Sequence, residues 1–252
     1  MILVKSAREI EIMREAGRIA GLALKAGGDA VRPGATTREV ELAIRRVIKA
    51  HGAKPSFLGY RGFPASCCIS VNEEVIHGIP GSRRLREGDI VSIDVGATFR
   101  GFVGDTAATF PVGQVSEKAR RLIEAARDCF YKGLGAVKKG ARVSDISKAV
   151  GNQAEASGFS IVRDWTGHGV GRELHEDPNI PHFWDGSRGS RLIPGMTICI
   201  EPMINAGQHD TVVKKDGWTV VTSDGSLSAH YEHTVLVTPG APELLTLVEG
   251  QS

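Results

Sequence analysis

Several features typical of secreted, membrane-embedded or disulfide-stabilised proteins are scarce in this chain. No apolar run approaches the roughly 20 residues that a membrane span needs. The opening segment, residues 1–15, is a charged helical pattern without the apolar core of a secretory signal. The cysteines form no CxxC pair and no disulfide framework, which favours free thiols in a reducing compartment. We therefore expect a cytoplasmic protein. Its cysteines are Cys67, Cys68, Cys129 and Cys199.

The net charge of the chain gives no support for a large anionic partner. A formal net charge of +2 is too small to favour nucleic acid or an anionic membrane as the main partner. Hydrophobic residues make up 41% and charged residues 24% of the chain, which is ordinary for a globular protein. With 252 residues the chain can bury a large core. We expect a folded protein with no specific nucleic-acid partner.

A weak internal repeat indicates two halves with one plan. The segment 31–35 precedes a helical pattern that ends at His51-Gly52, and the segment 137–141 precedes another that ends at Ser157-Gly158. The two segments lie about 106 residues apart. A glycine at each end is the usual residue after a helix, because it enters the left-handed region without a Cβ penalty.

Two predicted strands repeat in the same way. Segments 88–94 and 195–201 each begin at a glycine, alternate with period two, and end on a carboxylate, Asp94 and Glu201. Coincidence between unrelated α/β segments is the alternative, and the matching carboxylates make it the weaker one. The pattern predicts a single α+β domain over 1–252 with pseudo-twofold halves near 1–112 and 113–252.

Four carboxylates and one histidine are the candidate functional residues. Asp105 lies on a predicted hairpin partner of the Asp94 strand, and Glu232 precedes an apolar strand at 235–237. His168 lies in a predicted glycine-rich turn, 166–171, which lacks the GxGxxG spacing of a phosphate-binding loop. Taken singly, each residue has an ordinary structural explanation as a turn or cap residue.

Together these residues favour a metal site. Acidic groups between apolar strand residues are costly to bury unless they are paired or bind metal. Carboxylates sharing one pocket repel each other without cations, and two divalent ions carry enough charge to balance four of them. Oxygen-rich ligation with one imidazole suits Co, Mn, Fe(II) or Zn. We therefore expect two divalent metal ions.

Seven motifs in order, spread over nearly the whole chain, resemble those of the type I methionine aminopeptidases, metallo-aminopeptidases of the pita-bread fold. They are Val75-Ile76-His77-Gly78-Ile79-Pro80, Ser92-Ile93-Asp94-Val95, Gly104-Asp105-Thr106, Thr166-Gly167-His168-Gly169-Val170-Gly171, Leu174-His175-Glu176-Asp177-Pro178, Ile200-Glu201-Pro202-Met203 and Tyr231-Glu232-His233-Thr234.

The resemblance implies a binuclear site between two similar halves. Asp94 and His168 would each bind one metal, Asp105 and Glu232 would bridge, and Glu201 would be both a ligand and the proton shuttle. A water or hydroxide held between the metals would attack the scissile carbonyl. His77 and His175 would contact the substrate and stabilise the tetrahedral intermediate. From the residues alone, His77 would be read as a turn histidine.

The same resemblance implies a pocket for the methionine side chain. Three of its positions depart from the commonest bacterial pattern: Phe57 replaces a frequent Cys, Phe63 a frequent Tyr and Leu174 a frequent Phe. All three remain apolar, so a thioether pocket is retained while its shape changes. For Cys68, ordinary core packing is an equally good explanation. The implied lining is Phe57, Tyr60, Phe63, Cys68, Leu174 and Trp218.

The implied reaction is removal of the initiator methionine from nascent polypeptides, near the ribosome exit, when the second residue is small. We expect a monomer. One alternative is a proline-directed peptidase of the same fold, which usually carries an additional N-terminal domain. Another is a catalytically inactive pita-bread protein that binds RNA or protein, although such relatives have lost ligands that this chain retains.

Overall fold

Four α-helices occur in the computed structural model, which describes residues 2–249, and they form two packed pairs. The first two helices begin with capping boxes, in which Ser6 and Glu9, and then Thr36 and Glu39, satisfy each other's backbone N–H groups. The helix ends predicted at Gly52 and Gly158 are confirmed. The helices are α1 (Ala7–Ala30), α2 (Thr37–Ala50), α3 (Glu117–Gly135) and α4 (Val143–Ala156).

The strands form one large sheet and two small ones, and a short 3₁₀-helix, Tyr60–Gly62, precedes most of them. The strands are β1 (Lys54–Pro55), β2 (Cys68–Val71), β3 (Glu74–Ile76), β4 (Ile90–Phe99), β5 (Phe102–Pro111), β6 (Ser160–Ile161), β7 (Gly167–Gly169), β8 (Glu176–Ile180), β9 (Thr197–Ile200), β10 (Met203–Asn205), β11 (Thr211–Val213), β12 (Val220–Thr222), β13 (Ser228–His230), β14 (Glu232–Leu236) and β15 (Glu243–Leu244).

The large sheet has the order β1-β4-β5-β14-β9-β7-β8, with β2 also on β4 and β15 also on β14. Its pairings are antiparallel. The smaller sheets have the orders β13-β10-β6 and β11-β12-β3. This arrangement mixes strands from both ends of the chain, because β14 lies between β5 and β9. The α+β class predicted from the sequence is confirmed.

Two apolar cores pack beneath the helix pairs. One draws its buried residues from 19–112, and the other mainly from 119–237. Helix α1 approaches strand β5 very closely, since a Cβ on Gly104 would lie 2.5 Å from the Gly17 Cα. The division into halves near 1–112 and 113–252 stays a prediction, and its limits at residues 1 and 252 lie outside the described residues. No helix within residues 2–249 is long and apolar enough to cross a membrane.

The structure corrects two local predictions. The strand expected to end on Asp94 continues to Phe99, because its antiparallel pairing with β5 runs on without interruption to Phe99 opposite Phe102. His168 lies on strand β7 rather than in a turn. Its flanking glycines permit close strand packing: a Cβ on Gly167 would lie 2.3 Å from the Cys199 carbonyl oxygen, and one on Gly169 would lie 2.2 Å from that of Asp177.

Candidate metal centre and substrate pocket

The five predicted ligands come together because five neighbouring strands each place one of them. The strands β4, β5, β14, β9 and β7 are consecutive in the large sheet. The register pairs Glu232 with Ala107, and His168 with Cys199. The residues placed by this order are Asp94, Asp105, Glu232, Glu201 (directly after β9) and His168.

The side chains converge to distances suited to a shared cation. The His168 Nε2 atom lies 3.3 Å from Glu201 Oε1 and 3.9 Å from Asp105 Oδ2. One donor atom each from Asp105, His168, Cys199 and Glu232 all lie within 4.8 Å of one another. Asp94, on the neighbouring β4, lines the same cavity. Carboxylates around one imidazole are a donor set for divalent transition metals.

Unpartnered oxygens test whether these residues fit a metal. Each of the four carboxylates has a buried oxygen without a hydrogen-bond partner, namely Asp94 Oδ1, Asp105 Oδ1, Glu201 Oε1 and Glu232 Oε1. Native proteins rarely leave such atoms unsatisfied, so an additional positive partner is the simplest explanation. The residues present therefore fit divalent cations.

Burial and mutual repulsion oppose ionisation of this cluster in the protein alone. Burial raises the pKa of Asp94 to about 7. Burial, and then the charge of neighbouring carboxylates, raises the pKa values of Asp105, Glu201 and Glu232 well above their usual range. Burial also lowers the pKa of His168 to about 3, so its imidazole is neutral and able to act as a ligand.

Cys199 is a neighbour of the cluster that the sequence did not single out. Its buried thiol lies 3.7 Å from Thr234 Oγ1 and also hydrogen-bonds Glu232. Burial and the adjacent carboxylates raise the pKa of this thiol well above its usual value. Cys199 is therefore a neutral donor beside Glu232, whereas the period-two alternation of segment 195–201 indicates only that it is a strand residue.

The two predicted substrate histidines line the same cavity and contact different neighbours. His77, at a positive φ of 58°, places its ring edge against Trp165 at 5.3 Å between centroids. His175 Nδ1 lies 2.8 Å from the Tyr60 hydroxyl, and its ring centroid lies 4.2 Å from that of His168. Burial lowers the pKa of each to about 4, so both rings are neutral near pH 7.

A cavity of about 360 Å³ adjoins the cluster and contains all six residues expected to form the methionine pocket. Phe63 and Trp218 meet edge to face at 5.1 Å between centroids. One cavity is therefore lined both by aromatic rings and by the carboxylates. Sequence reasoning did not assign five of the lining residues to the pocket, although Ile76 and Thr166 lie within the His77 and His168 motifs. They are Arg61, Ile76, Asp164, Trp165 and Thr166.

Two further histidines, also missed, flank Glu201. The Glu201 backbone N–H donates to His182 Nε2 at 3.0 Å. His230 Nε2 lies 3.8 Å from Glu201 Oε2, and His230 ends the strand just before Glu232. Both side chains are buried, and burial lowers the pKa of each to about 3. Glu201 thus lies among neutral imidazoles.

Comparison with known proteins places this geometry in a family. Residues 11–239 match the model of metallopeptidase family M24. The chain is 51% identical to the methionine aminopeptidase of Clostridium perfringens, covering 99% of this chain and 100% of that one. It is 50% identical to methionine aminopeptidase 1 of Bacillus subtilis, covering 98% and 100%.

Comparison with solved structures also finds methionine aminopeptidases as similar proteins. The methionine aminopeptidase of Thermotoga maritima matches with a TM-score of 0.96 and 44% identity over 98% of this chain and 100% of that one. The prolidase of Pyrococcus horikoshii matches with a TM-score of 0.80 and 27% identity, and only 65% of its length is covered. The chain therefore belongs to metallopeptidase family M24 and, within it, to the type I methionine aminopeptidases of the pita-bread fold.

Proposed function

We infer that this protein is a metal-dependent aminopeptidase that removes the N-terminal methionine from proteins and peptides when the second residue is small. The observation that carries the inference is the joining of two unlike surfaces in one cavity. One surface holds four carboxylates and His168, and the other is aromatic and apolar. Such a cavity accepts a thioether side chain beside a site of hydrolysis.

Asp94, Asp105, His168, Glu201 and Glu232 would hold two divalent ions, with Co, Mn, Fe(II) and Zn as the candidates. When bound, such ions supply Lewis acidity to the scissile carbonyl and to the attacking water. Glu201 would take the proton of that water, since its carboxylate faces the cavity and has an unpartnered oxygen. Glu201 then has two roles, as a ligand and as the general base.

His175 would bind and polarise the substrate carbonyl. When Tyr60 donates its hydroxyl hydrogen to His175 Nδ1, the neutral ring carries its proton on Nε2 and is free to donate it. His77 would contact the substrate from the side of Trp165 and Trp218. Neither ring needs to bind metal for these roles.

The aromatic surface would select methionine. A thioether makes favourable contacts with ring edges and has no branch to accommodate. Phe57, Phe63 and Leu174 keep the pocket apolar, and their side chains are buried. The departures at these positions change the shape of the pocket rather than its chemistry, which would alter inhibitor preference more than the preference for methionine.

Two alternatives receive less support. A proline-directed peptidase shares the fold, but the Pyrococcus horikoshii prolidase is only 27% identical to this chain, against 51% for the methionine aminopeptidase of Clostridium perfringens. An inactive binding protein would have no reason to keep the complete donor set together in one cavity. The net charge of +2 is also too small to indicate electrostatic binding of RNA.

A peptide panel separates these functions. Purified protein with added Mn²⁺ should release methionine from Met-Ala-Ser, should act poorly on Met-Lys-Ser, and should leave an Ala-Pro peptide intact. Cleavage of the Ala-Pro peptide alone would indicate the proline-directed enzyme. No cleavage of any peptide, with metal bound, would indicate the inactive binding protein.

We further propose that the enzyme acts as a monomer in the cytoplasm, on nascent polypeptide N-termini near the ribosome exit. Ribosome co-sedimentation in native extracts, with free protein as the control, tests the last point. The physiological metal is tested by elemental analysis of protein purified anaerobically from its native host. A single dominant metal among the four candidates is the expected result.

A further inference from the structure

A buried ion pair joins the N-terminal segment to the turn that carries His175. Lys5 Nζ lies 2.6 Å from Glu176 Oε2, and both side chains are only 5% exposed. The Lys5 backbone N–H also donates to the Gly195 carbonyl at 2.8 Å, which fixes the segment just before α1. Charged side chains are rarely this buried unless paired, so the contact is a specific structural feature.

The Glu176 carboxylate organises the turn before β8. Its Oε1 atom accepts backbone N–H groups from Arg172 at 2.8 Å and from Glu173 at 3.3 Å, while Oε2 faces Lys5. The packing leaves no free space, because a Cβ on Gly171 would lie 2.5 Å from Lys5 Cε and 2.6 Å from Glu176 Oε1. The fold of this turn therefore depends on the position of one carboxylate.

His175 directly precedes Glu176 in the chain, and its ring lies in the cavity against Tyr60 and His168. The Tyr60 hydroxyl holds the ring from one side, and the turn fixes its backbone. A displacement of the Glu176 carboxylate would consequently displace the His175 backbone and lengthen the contact with Tyr60.

We propose that Lys5 is a positioning residue for His175 and acts through Glu176. Removing the Lys5 charge leaves the buried Glu176 carboxylate without its partner, and this carboxylate is then drawn toward water. Such a displacement weakens the turn whose backbone N–H groups it accepts. A misplacement of a catalytic group by about 1 Å can cost on the order of 10²-fold in rate. This inference rests on the proposed role of His175 in the aminopeptidase reaction.

The test is a double-mutant cycle between Lys5→Met and His175→Ala, with steady-state kinetics on Met-Ala-Ser. Lys5→Met alone should lower kcat on the order of 10²-fold with little change in KM. In the His175→Ala background the same change should lower kcat no further, because the residue it positions is gone. Glu176→Gln, which keeps an acceptor for the turn amides, should behave like Lys5→Met. Bound metal should stay at the wild-type level.

Arg14→Met is the matched control. Arg14 also joins the N-terminal region to a distant residue, Glu243, at 2.7 Å, but this pair is about 40% exposed and lies outside the 171–176 turn. Its loss should leave kcat unchanged. Lys5→Arg, which keeps the charge, should recover part of the lost kcat and provides the readout if Lys5→Met does not fold.

Two results would overturn the proposal: wild-type kcat in folded Lys5→Met, or an equal fold-loss from Lys5→Met with and without His175. Methionine release by the wild-type protein tests the proposed function separately. If the wild type released no methionine, the proposed function would fail, and a crystal structure of Lys5→Met would still show whether the contact between His175 and Tyr60 is lost.

Discussion

His168 Nε2 lies 3.3 Å from Glu201 Oε1, and neither group is stable in its charged form at that position in the protein alone. Burial lowers the pKa of His168 to about 3 and raises that of Glu201 well above its usual value. His168 Nδ1 donates to the Gly169 carbonyl at 2.8 Å, so the lone pair of Nε2 faces Glu201. A divalent cation held by both groups would favour the carboxylate and accept this lone pair, which supports the proposal that the two side chains hold one metal.

Isosteric loss of one ligand charge should abolish turnover. Asp105→Asn and Glu232→Gln keep the volume of the side chain but remove negative charge from the cluster, so bound metal should fall together with activity. Elemental analysis and methionine release on the same samples check this. Asp145→Asn, which changes an exposed helix-capping acid, is the control and should keep both. Normal metal content in Asp105→Asn would remove that residue from the ligand set.

The three cavity histidines should divide into one ligand and two substrate-contacting residues. His168→Ala should lose metal. His77→Ala and His175→Ala should retain metal while kcat falls by roughly 10²–10³-fold and KM changes little, because a donor to the developing oxyanion acts in the transition state. Elemental analysis beside kinetics at one modest metal concentration distinguishes the roles. Equal metal loss in His175→Ala and His168→Ala would require another assignment.

The methionine pocket should depend on its aromatic edge. Trp218→Leu removes the ring that meets Phe63 at 5.1 Å, and kcat/KM for Met-Ala-Ser should fall by up to about tenfold, the range of sulfur–aromatic contacts. The wild-type enzyme should discriminate only weakly against norleucine in place of methionine, since a methylene replaces sulfur with little change in volume. Strong rejection of the norleucine peptide would show a different basis for selectivity.

The cysteines should be unreactive in the native protein. Burial raises the pKa of Cys129 to about 12 and those of Cys67, Cys68 and Cys199 well above the usual value. A thiol reagent at pH 8 should therefore modify them only after denaturation. Above pH 9 the unfolded chain releases thiol protons that the folded protein retains, so the free energy of unfolding should decrease as pH rises toward 12. Rapid modification of native protein would contradict this burial.

Much of the site could be predicted from the sequence because its residues lie in short, recognisable motifs. Asp94, Asp105 and Glu232 were predicted as strand-associated acids, and the structure places them on neighbouring strands. The order of those strands was not predictable, since β14 is inserted between β5 and β9 by long-range pairing. Periodicity indicates which face a residue occupies but not which strand lies beside it.

The features that the sequence did not predict have a common physical cause, since each depends on contacts between segments that are distant in the chain. Glycines around His168 suggested a turn, whereas they allow a close approach between strands that only coordinates reveal. Lys5 and Glu176 are far apart in the chain, and each resembles an ordinary surface charge until the fold buries both. Likewise, His182 and Cys199 are recognised as part of the site only from their contacts, His182 with Glu201 and Cys199 with Glu232.

The measurement that tests the central claim most directly is methionine release from Met-Ala-Ser during stepwise addition of Mn²⁺ to metal-free protein. The account predicts no turnover without metal and rising turnover as metal binds, with Asp105→Asn unable to recover activity in the same titration. Full turnover by wild-type protein in excess chelator, with no metal detected by elemental analysis, would contradict it.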